Sequence, residues 1–279
     1  MAKKNQSGRL TDQHKDSKGA VGIFGDEAKD FDKVVSNLSQ CAFEILKKRY
    51  RGLLQFDYWK SLSKKKINEA LQKIDSELGQ TLFVEGSCIK PDGGIIVVKD
   101  VNENWRVVLV SEAKRQGKDI ENIRQGIKVG KNNNQDIMQA GCAIERAYKN
   151  ISEIANYMLN EEYFPYVIFL EGSNFLTKDF KVLDPNGRDV FLACKSGKIN
   201  RIDRLTAANY GLPLNQNLCR NKIVKVGKNS IMLQAPSLFT QENGERWNRI
   251  SMLKKMLDVA ETSLKMLGRD LFNQLTKSN

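Results

Sequence analysis

The chain of 279 residues holds a single histidine, His14, in a polar N-terminal stretch. A Ser-His-Asp triad, a Cys-His dyad, a His-metal finger nuclease and a zincin helix each need a histidine held by the fold. All four are disfavoured together, and the working groups of an enzyme built on this chain are carboxylates, lysines or arginines. The five cysteines, Cys41, Cys88, Cys142, Cys194 and Cys219, are widely spaced and form no C-x-x-C pair. Zinc and dithiol chemistry lack a ligand frame, so free, buried thiols are expected. No apolar run approaches the ~18–20 residues of a membrane span, and Met1 to Lys18 has no signal-peptide core. A cytoplasmic protein that does not engage a membrane is the expectation.

Acid is also in deficit. Thirty-three Asp and Glu face 45 Lys and Arg, for a net charge of +12. Nucleic acid and anionic membrane surfaces are the first partners such an excess suggests, although a merely basic soluble protein carries it too.

Residues 1–18 read as a disordered tail and 19–279 as one α/β domain. Helical spacing of apolar residues runs from Val21 to Leu46, and a second helix spans Ile67 to Leu78, ending at Gly79. Strands are expected at Thr81–Val84, Gly94–Val98 and Trp105–Val110, the last two flanking a polar turn at 100–104. Residues 117–135 read as a loop or arm, followed by a long helix from Asp136 to Leu159. Tyr166 to Leu170 is apolar throughout, as befits a strand covered on both faces. A second arm spans 172–200, with a turn at Asp184-Pro185-Asn186-Gly187. A short helix at Ile202–Tyr210 and a hairpin pairing Ile223–Val226 with Ile231–Leu233 follow. The last helix, Arg246 to Leu275, is expected to kink near Gly268.

One constellation carries chemistry. Pro91-Asp92 and Glu112-Ala113-Lys114 match P-D, a spacer, then E-x-K. If the two strands pair around Asn102, Val98 faces Arg106 and Asp92 faces Glu112. Opposed Cβ atoms lie ~4.5–5.5 Å apart, so the two carboxylates can share a cation. Strand alternation puts Lys114 on the same side as Glu112. Oxygen ligands suit Mg²⁺, which polarises a scissile phosphate and acidifies a bound water, while Lys114 orients that water or steadies developing charge. The same residues can also be plain salt-bridged strand ends, since P-D and E-x-K pairs arise by chance. Two further clusters are open to both readings. Glu145, Arg146 and Lys149 lie on the long helix, where they reach a major groove or are simply solvated. Arg201 and Arg204 read guanines or pair with acids such as Asp203.

The residues carrying these patterns sit in longer matches: Ile23-Phe24-Gly25-Asp26, Lys90-Pro91-Asp92-Gly93-Gly94, Glu112-Ala113-Lys114, Asn150-Ile151-Ser152-Glu153-Ile154 and Asp203-Arg204-Leu205-Thr206-Ala207-Ala208-Asn209-Tyr210. In order and over nearly the whole chain, the sequence resembles the EcoRI-type restriction endonucleases of the PD-(D/E)xK family. That resemblance implies a mixed central sheet flanked by helices, a homodimer with arms embracing double-stranded DNA, and Mg²⁺-dependent cleavage of both strands, with Mn²⁺ a substitute. It implies a short palindrome, GAATTC in the family's best-known members, 5′-phosphate ends, and a cognate methyltransferase acting on the same site.

Carried over residue by residue, Asp92 and Glu112 are metal ligands and Lys114 assists catalysis. Met138, Gln139, Cys142, Ala143, Glu145, Arg146, Arg201 and Arg204 fall on recognition positions, and Gln116, Lys118, Lys131 and Lys149 are DNA-facing candidates. The departures lie on the reading surface. Cys142 stands where the family pattern has Asn, the residue that pairs bidentately with adenine, and a thiol cannot reproduce that pair. Gln139 and Lys198 also depart from it. A non-catalytic DNA-binding relative and a structure-specific repair nuclease of the same fold are the alternative functions.

Overall fold

The computed structural model describes residues 25–80, 85–127, 129, 139–194 and 202–272. Predictions for the N-terminal tail, the Thr81–Val84 strand, Lys131, Met138, Lys198 and Arg201 therefore lie outside the described residues.

The first helix, α1 (Gly25–Arg49), buries Phe31, Val35, Ser39, Ala42 and Leu46 at three- and four-residue spacing. Three basic residues in its last turn, Lys47, Lys48 and Arg49, complement the negative helix end. β1 (Phe56–Trp59) and β2 (Leu62–Ser63) lead into α2 (Lys64–Gln72), whose N-cap Ser63 accepts from the backbone N–H of Lys66 at 3.3 Å. α2 stops six residues short of the predicted end at Leu78, because the chain breaks into turns after Lys73. β3 (Cys88–Ile89), β4 (Ile95–Lys99) and β5 (Trp105–Arg115) follow. β5 runs five residues beyond its predicted end at Val110, which places Glu112 and Lys114 on the strand itself.

A short helix, α3 (Asp119–Arg124), stands where only a loop was expected; then come α4 (Gln139–Tyr157) and β6 (Tyr166–Glu171). β7 (Phe180–Leu183) and β8 (Asp189–Leu192) form a hairpin around the predicted Asp184–Gly187 turn. α5 (Ile202–Thr206), the hairpin of β9 (Lys222–Val226) and β10 (Asn229–Leu233), and β11 (Ser237–Thr240) complete the middle of the chain. α6 (Arg249–Phe272) passes through Gly268 without interruption. A glycine inside a packed helix costs only about 1 kcal/mol, too little to break one that buries Met252, Met256, Val259 and Leu264.

The central sheet has the order β1-β4-β5-β6-β11, antiparallel across its first two pairs and parallel across β5-β6 and β6-β11. β6 is buried along its whole length, as its unbroken apolar run foretold. Ser111 of β5 lies beside Gly93 and Val35 of α1, whereas its neighbour Glu112 meets Asn150 of α4. Strand alternation therefore puts α1, with α6 packed against it, on one face and α4 on the other.

The two predicted arm segments pack on each other. Ile120 and Ile123 of α3, Leu176, Val182 of β7 and Leu192 of β8 form an apolar cluster separate from the main core. The thiols depart from expectation: of the four described cysteines, all free, only Cys219 is buried and Cys41 is exposed. A thiol is small enough to sit on a helix surface at little cost.

Candidate active site

Pro91, Asp92, Gly93 and Gly94 make a tight turn into β4, with the Gly94 N–H donating to the Pro91 carbonyl at 3.0 Å. Gly94 has a φ of +69°, and a Cβ there would fall 2.6 Å from the Tyr58 hydroxyl oxygen. Only glycine fits that turn, and the turn aims Asp92 at β5.

The Asp92 carboxylate accepts the backbone N–H of Ala113 at 3.1 Å and the Lys114 ammonium at 2.9 Å, both on Oδ2. The predicted face-to-face pairing of Asp92 with Glu112 needs correcting. Pairing runs as expected from Lys99↔Trp105 through Val97↔Val107, then slips to Ile96↔Leu109. Val108 is an extra residue, a β-bulge, and it carries Ala113 rather than Glu112 opposite the turn. The two carboxylates meet instead through Lys114, whose Nζ lies 2.9 Å from Asp92 Oδ2 and 2.5 Å from Glu112 Oε1. The same nitrogen donates to the Ala113 carbonyl at 2.7 Å.

Two groups that the site pattern had not singled out complete the environment of Glu112. Asn150 of α4 donates to both carboxylate oxygens at 3.2 Å, and the Tyr166 hydroxyl of β6 donates to Oε2 at 3.1 Å. Asn150 did carry a signal, for it lies four residues beyond Arg146 on the same helix face. Tyr166 carried none beyond its place at the head of a buried strand. Glu112 is 1% exposed. Burial raises its pKa, with Lys114 pulling the other way and Asp92 adding to the rise. Burial lowers the Lys114 pKa, but Glu112 and Asp92 outweigh it and leave the ammonium more firmly protonated than usual.

A third carboxylate belongs to this field. Asp32 of α1 has its pKa raised to about 7, by burial first and then by Asp92, partly offset by Lys114 and reinforced by Glu112. Sequence pattern gave no hint of it, because an acid on a half-polar helix face looks solvated.

The donor set fits a hard divalent cation. Three oxygens, from Asp92, Glu112 and the Ala113 carbonyl, already converge on one positively charged nitrogen. Mg²⁺ binds through one or two carboxylates and completes its shell with water and substrate phosphate. Among the described residues no group of three or more His, Cys, Asp or Glu side chains forms a self-sufficient cage.

The remaining candidates are placed as follows. Glu145, Arg146 and Lys149 are exposed on α4. Arg204 is exposed on α5, and its backbone carbonyl accepts the hydroxyl of Tyr148, which ties α5 to α4. Gln139, Cys142 and Ala143 lie in the first turn and a half of α4, with their side chains outside the described residues. Lys118 is exposed before α3. Gln116 is 3% exposed, and neither polar atom of its amide has a hydrogen-bond partner among the described residues.

A family model described as restriction endonuclease EcoRI matches residues 17–274. The chain is 58% identical over 276 residues to the type II restriction enzyme EcoRI of Escherichia coli, covering 99% of each chain. It is 45% identical over 268 residues to the type II restriction enzyme RsrI of Cereibacter sphaeroides, covering 96% of each. With the sheet, the turn at Asp92 and the Glu112–Lys114 strand end in hand, the chain belongs to the EcoRI family of restriction endonucleases.

Proposed function

We propose that this chain is a type II restriction endonuclease that hydrolyses both strands of double-stranded DNA at a short palindrome, GAATTC or a close AATT-centred site. The observation that carries the reading is the Lys114 ammonium held among oxygens of Asp92, Glu112 and Ala113. Asp92 and Glu112 are the residues that would hold Mg²⁺, with Mn²⁺ as substitute. The bound ion supplies polarisation of the scissile phosphate and acidification of water.

The chain's own residues do the rest. Asn150 and Tyr166 fix both oxygens of Glu112, so the carboxylate presents one geometry. Lys114 positions the attacking water and offsets charge growing on the phosphate oxygens. Water adds to phosphorus, the bond to the 3′ oxygen breaks, and that oxygen takes a proton. The ends are a 5′-phosphate and a 3′-hydroxyl.

Specificity falls to α4 and α5. By family position the reading set is Met138, Gln139, Cys142, Ala143, Glu145, Arg146, Arg201 and Arg204, and Gln116, Lys118, Lys131 and Lys149 are the candidates for backbone contact. Gln116 is the buried member of this set, and its amide has no partner among the described residues. A palindrome read by two-fold-related subunits calls for a homodimer. The setting is the cytoplasm, where a cognate methyltransferase protects the same site.

Digestion of plasmid DNA with Mg²⁺, followed by sequencing of the ends, tests this directly. Discrete fragments with AATT-centred ends are expected, and none in EDTA. Sedimentation should give twice the 31.7 kDa chain mass. A smear, or an inert protein, would overturn the reading.

A further inference from the structure

Lys114 and Glu112 use one face of the sheet, and the opposite face has a site of its own. A cavity of about 410 Å³ lies between the end of β5, the start of α6 and α1, lined among others by Arg115, Glu171, Asp30, Trp247, Arg246 and Arg249. β5, β6 and β11 run parallel, so their ends at Arg115, Glu171 and Thr240 share one edge, and α6 begins there. Arg115 directly follows Lys114, so the cavity and the candidate active site are back to back at the same strand end.

The cavity's charges do not balance. Glu171 is committed, for it pairs with Arg115 and accepts the Trp247 N–H at 2.9 Å on its other oxygen. Glu121 also holds Arg115, at 2.8 Å. Arg246 and Arg249 are exposed and have no ion pair among the described residues. Asp30 is the remaining acid of the lining, and it sits 3.6 Å from Lys33. Arg249 is moreover the first residue of a 24-residue helix with no acid in its first turn. Asn248 caps that helix, its side-chain oxygen accepting from Ile250 at 2.9 Å and Ser251 at 3.1 Å. The positive end of a helix favours anions, so a pair of arginines there is locally unfavourable until an anion arrives.

The anion is identified by shape and place. A guanidinium fork matches phosphate oxygens in two-pronged fashion. The Trp247 indole N–H is spent on the Leu170 carbonyl at 2.8 Å and is not free to donate to a base edge. We propose that this cavity is a second phosphate seat, taking a backbone phosphate of the DNA strand whose scissile phosphate lies at Lys114, with Arg246 and Arg249 as its ligands. It rests on the endonuclease reading and adds a sequence-independent grip to it.

The test uses the full-length Arg246→Ala/Arg249→Ala protein, changed only at exposed positions. Binding to a duplex carrying the cleavage site is measured in Ca²⁺ across a salt series. Each phosphate that the variant leaves unneutralised should flatten the plot of log K against log salt by about 0.9, or about 1.8 for a two-fold dimer. Affinity should fall about tenfold at low salt, for specific and non-specific duplexes alike. Arg246→Lys/Arg249→Lys should restore most of the slope. In phosphate-ethylation interference, one position that weakens wild-type binding should become indifferent in the alanine variant. An unchanged slope and an unchanged ethylation pattern overturn the seat, while discrete cleavage by the wild type leaves the endonuclease reading standing. A wild type that neither binds nor cuts DNA overturns both.

Discussion

Asn150, midway along α4, donates its amide to both oxygens of Glu112 at 3.2 Å each. One turn earlier on the same face stands exposed Arg146, a candidate base reader. A single helix thus links the proposed reading surface to a buried carboxylate.

The Asn150 bond favours the ionised form of Glu112. Asn150→Ala should therefore raise the Glu112 pKa further and move the acid limb of the pH–rate profile upward. Cleavage at neutral pH should slow about 10–100-fold, with a higher Mg²⁺ requirement, as when metal ligands are deprived of their supporting hydrogen bonds. An acid limb that stays put would make Asn150 a packing residue only.

Asp92→Asn and Glu112→Gln should abolish cutting while leaving metal-free DNA binding equal or tighter, because negative charge beside phosphate is removed. Lys114→Ala should cost about 10²–10³-fold in rate and less in affinity. Ca²⁺ should support binding without cleavage. If circular dichroism shows all three variants unfolded, these residues are structural strand ends.

Arg115 and Glu171 form an ion pair whose side chains are each 5% exposed. Removing one partner strands the other charge in the interior. Glu171→Ala should destabilise the protein by about 3–5 kcal/mol in urea unfolding, moderated by the second partner Glu121. A change below about 1 kcal/mol would mean that Glu121 and solvent suffice.

The raised pKa of Asp32, about 7 against an ordinary 3.8, makes a pH prediction for the metal-free protein. The folded state holds this proton more tightly than the unfolded state, so the contribution of Asp32 to stability is greatest below the unfolded value. It should decline as pH rises toward 7 and level off above it. Asp32→Asn should remove that decline, stabilising the protein at pH 8 more than at pH 5 in EDTA. Equal effects at both pH values would show that Asp32 ionises freely despite Asp92 and Glu112.

Cys142→Asn probes the reading surface. If Cys142 occupies the adenine-reading position, the chain lacks a bidentate pair worth about 1–3 kcal/mol of discrimination. In a GAATTC cutter the substitution should preserve or sharpen the rate ratio between that site and its single-base neighbours. A wild type that ignores GAATTC and cuts another palindrome would mark Cys142 as part of a changed specificity.

The sequence by itself narrowed the chemistry: a lone histidine disfavours the histidine-based mechanisms, and P-D with E-x-K points to carboxylates and a lysine as the candidate working groups. It also determined β6, because a strand covered on both faces is apolar at every position. Only the tertiary structure decided how the charges meet. One extra residue, Val108, moves Asp92 from Glu112 to Ala113, and a bulge follows from ladder geometry rather than from any local pattern. Asp32, Asn150 and Tyr166 reach the site from α1, α4 and β6, elements brought together by packing of their apolar faces. Periodicity reports which face of an element is buried, but not which polar residue at its margin arrives beside a buried carboxylate. The same holds for Arg246 and Arg249, whose place behind Lys114 follows from three parallel strands ending on one edge where α6 begins.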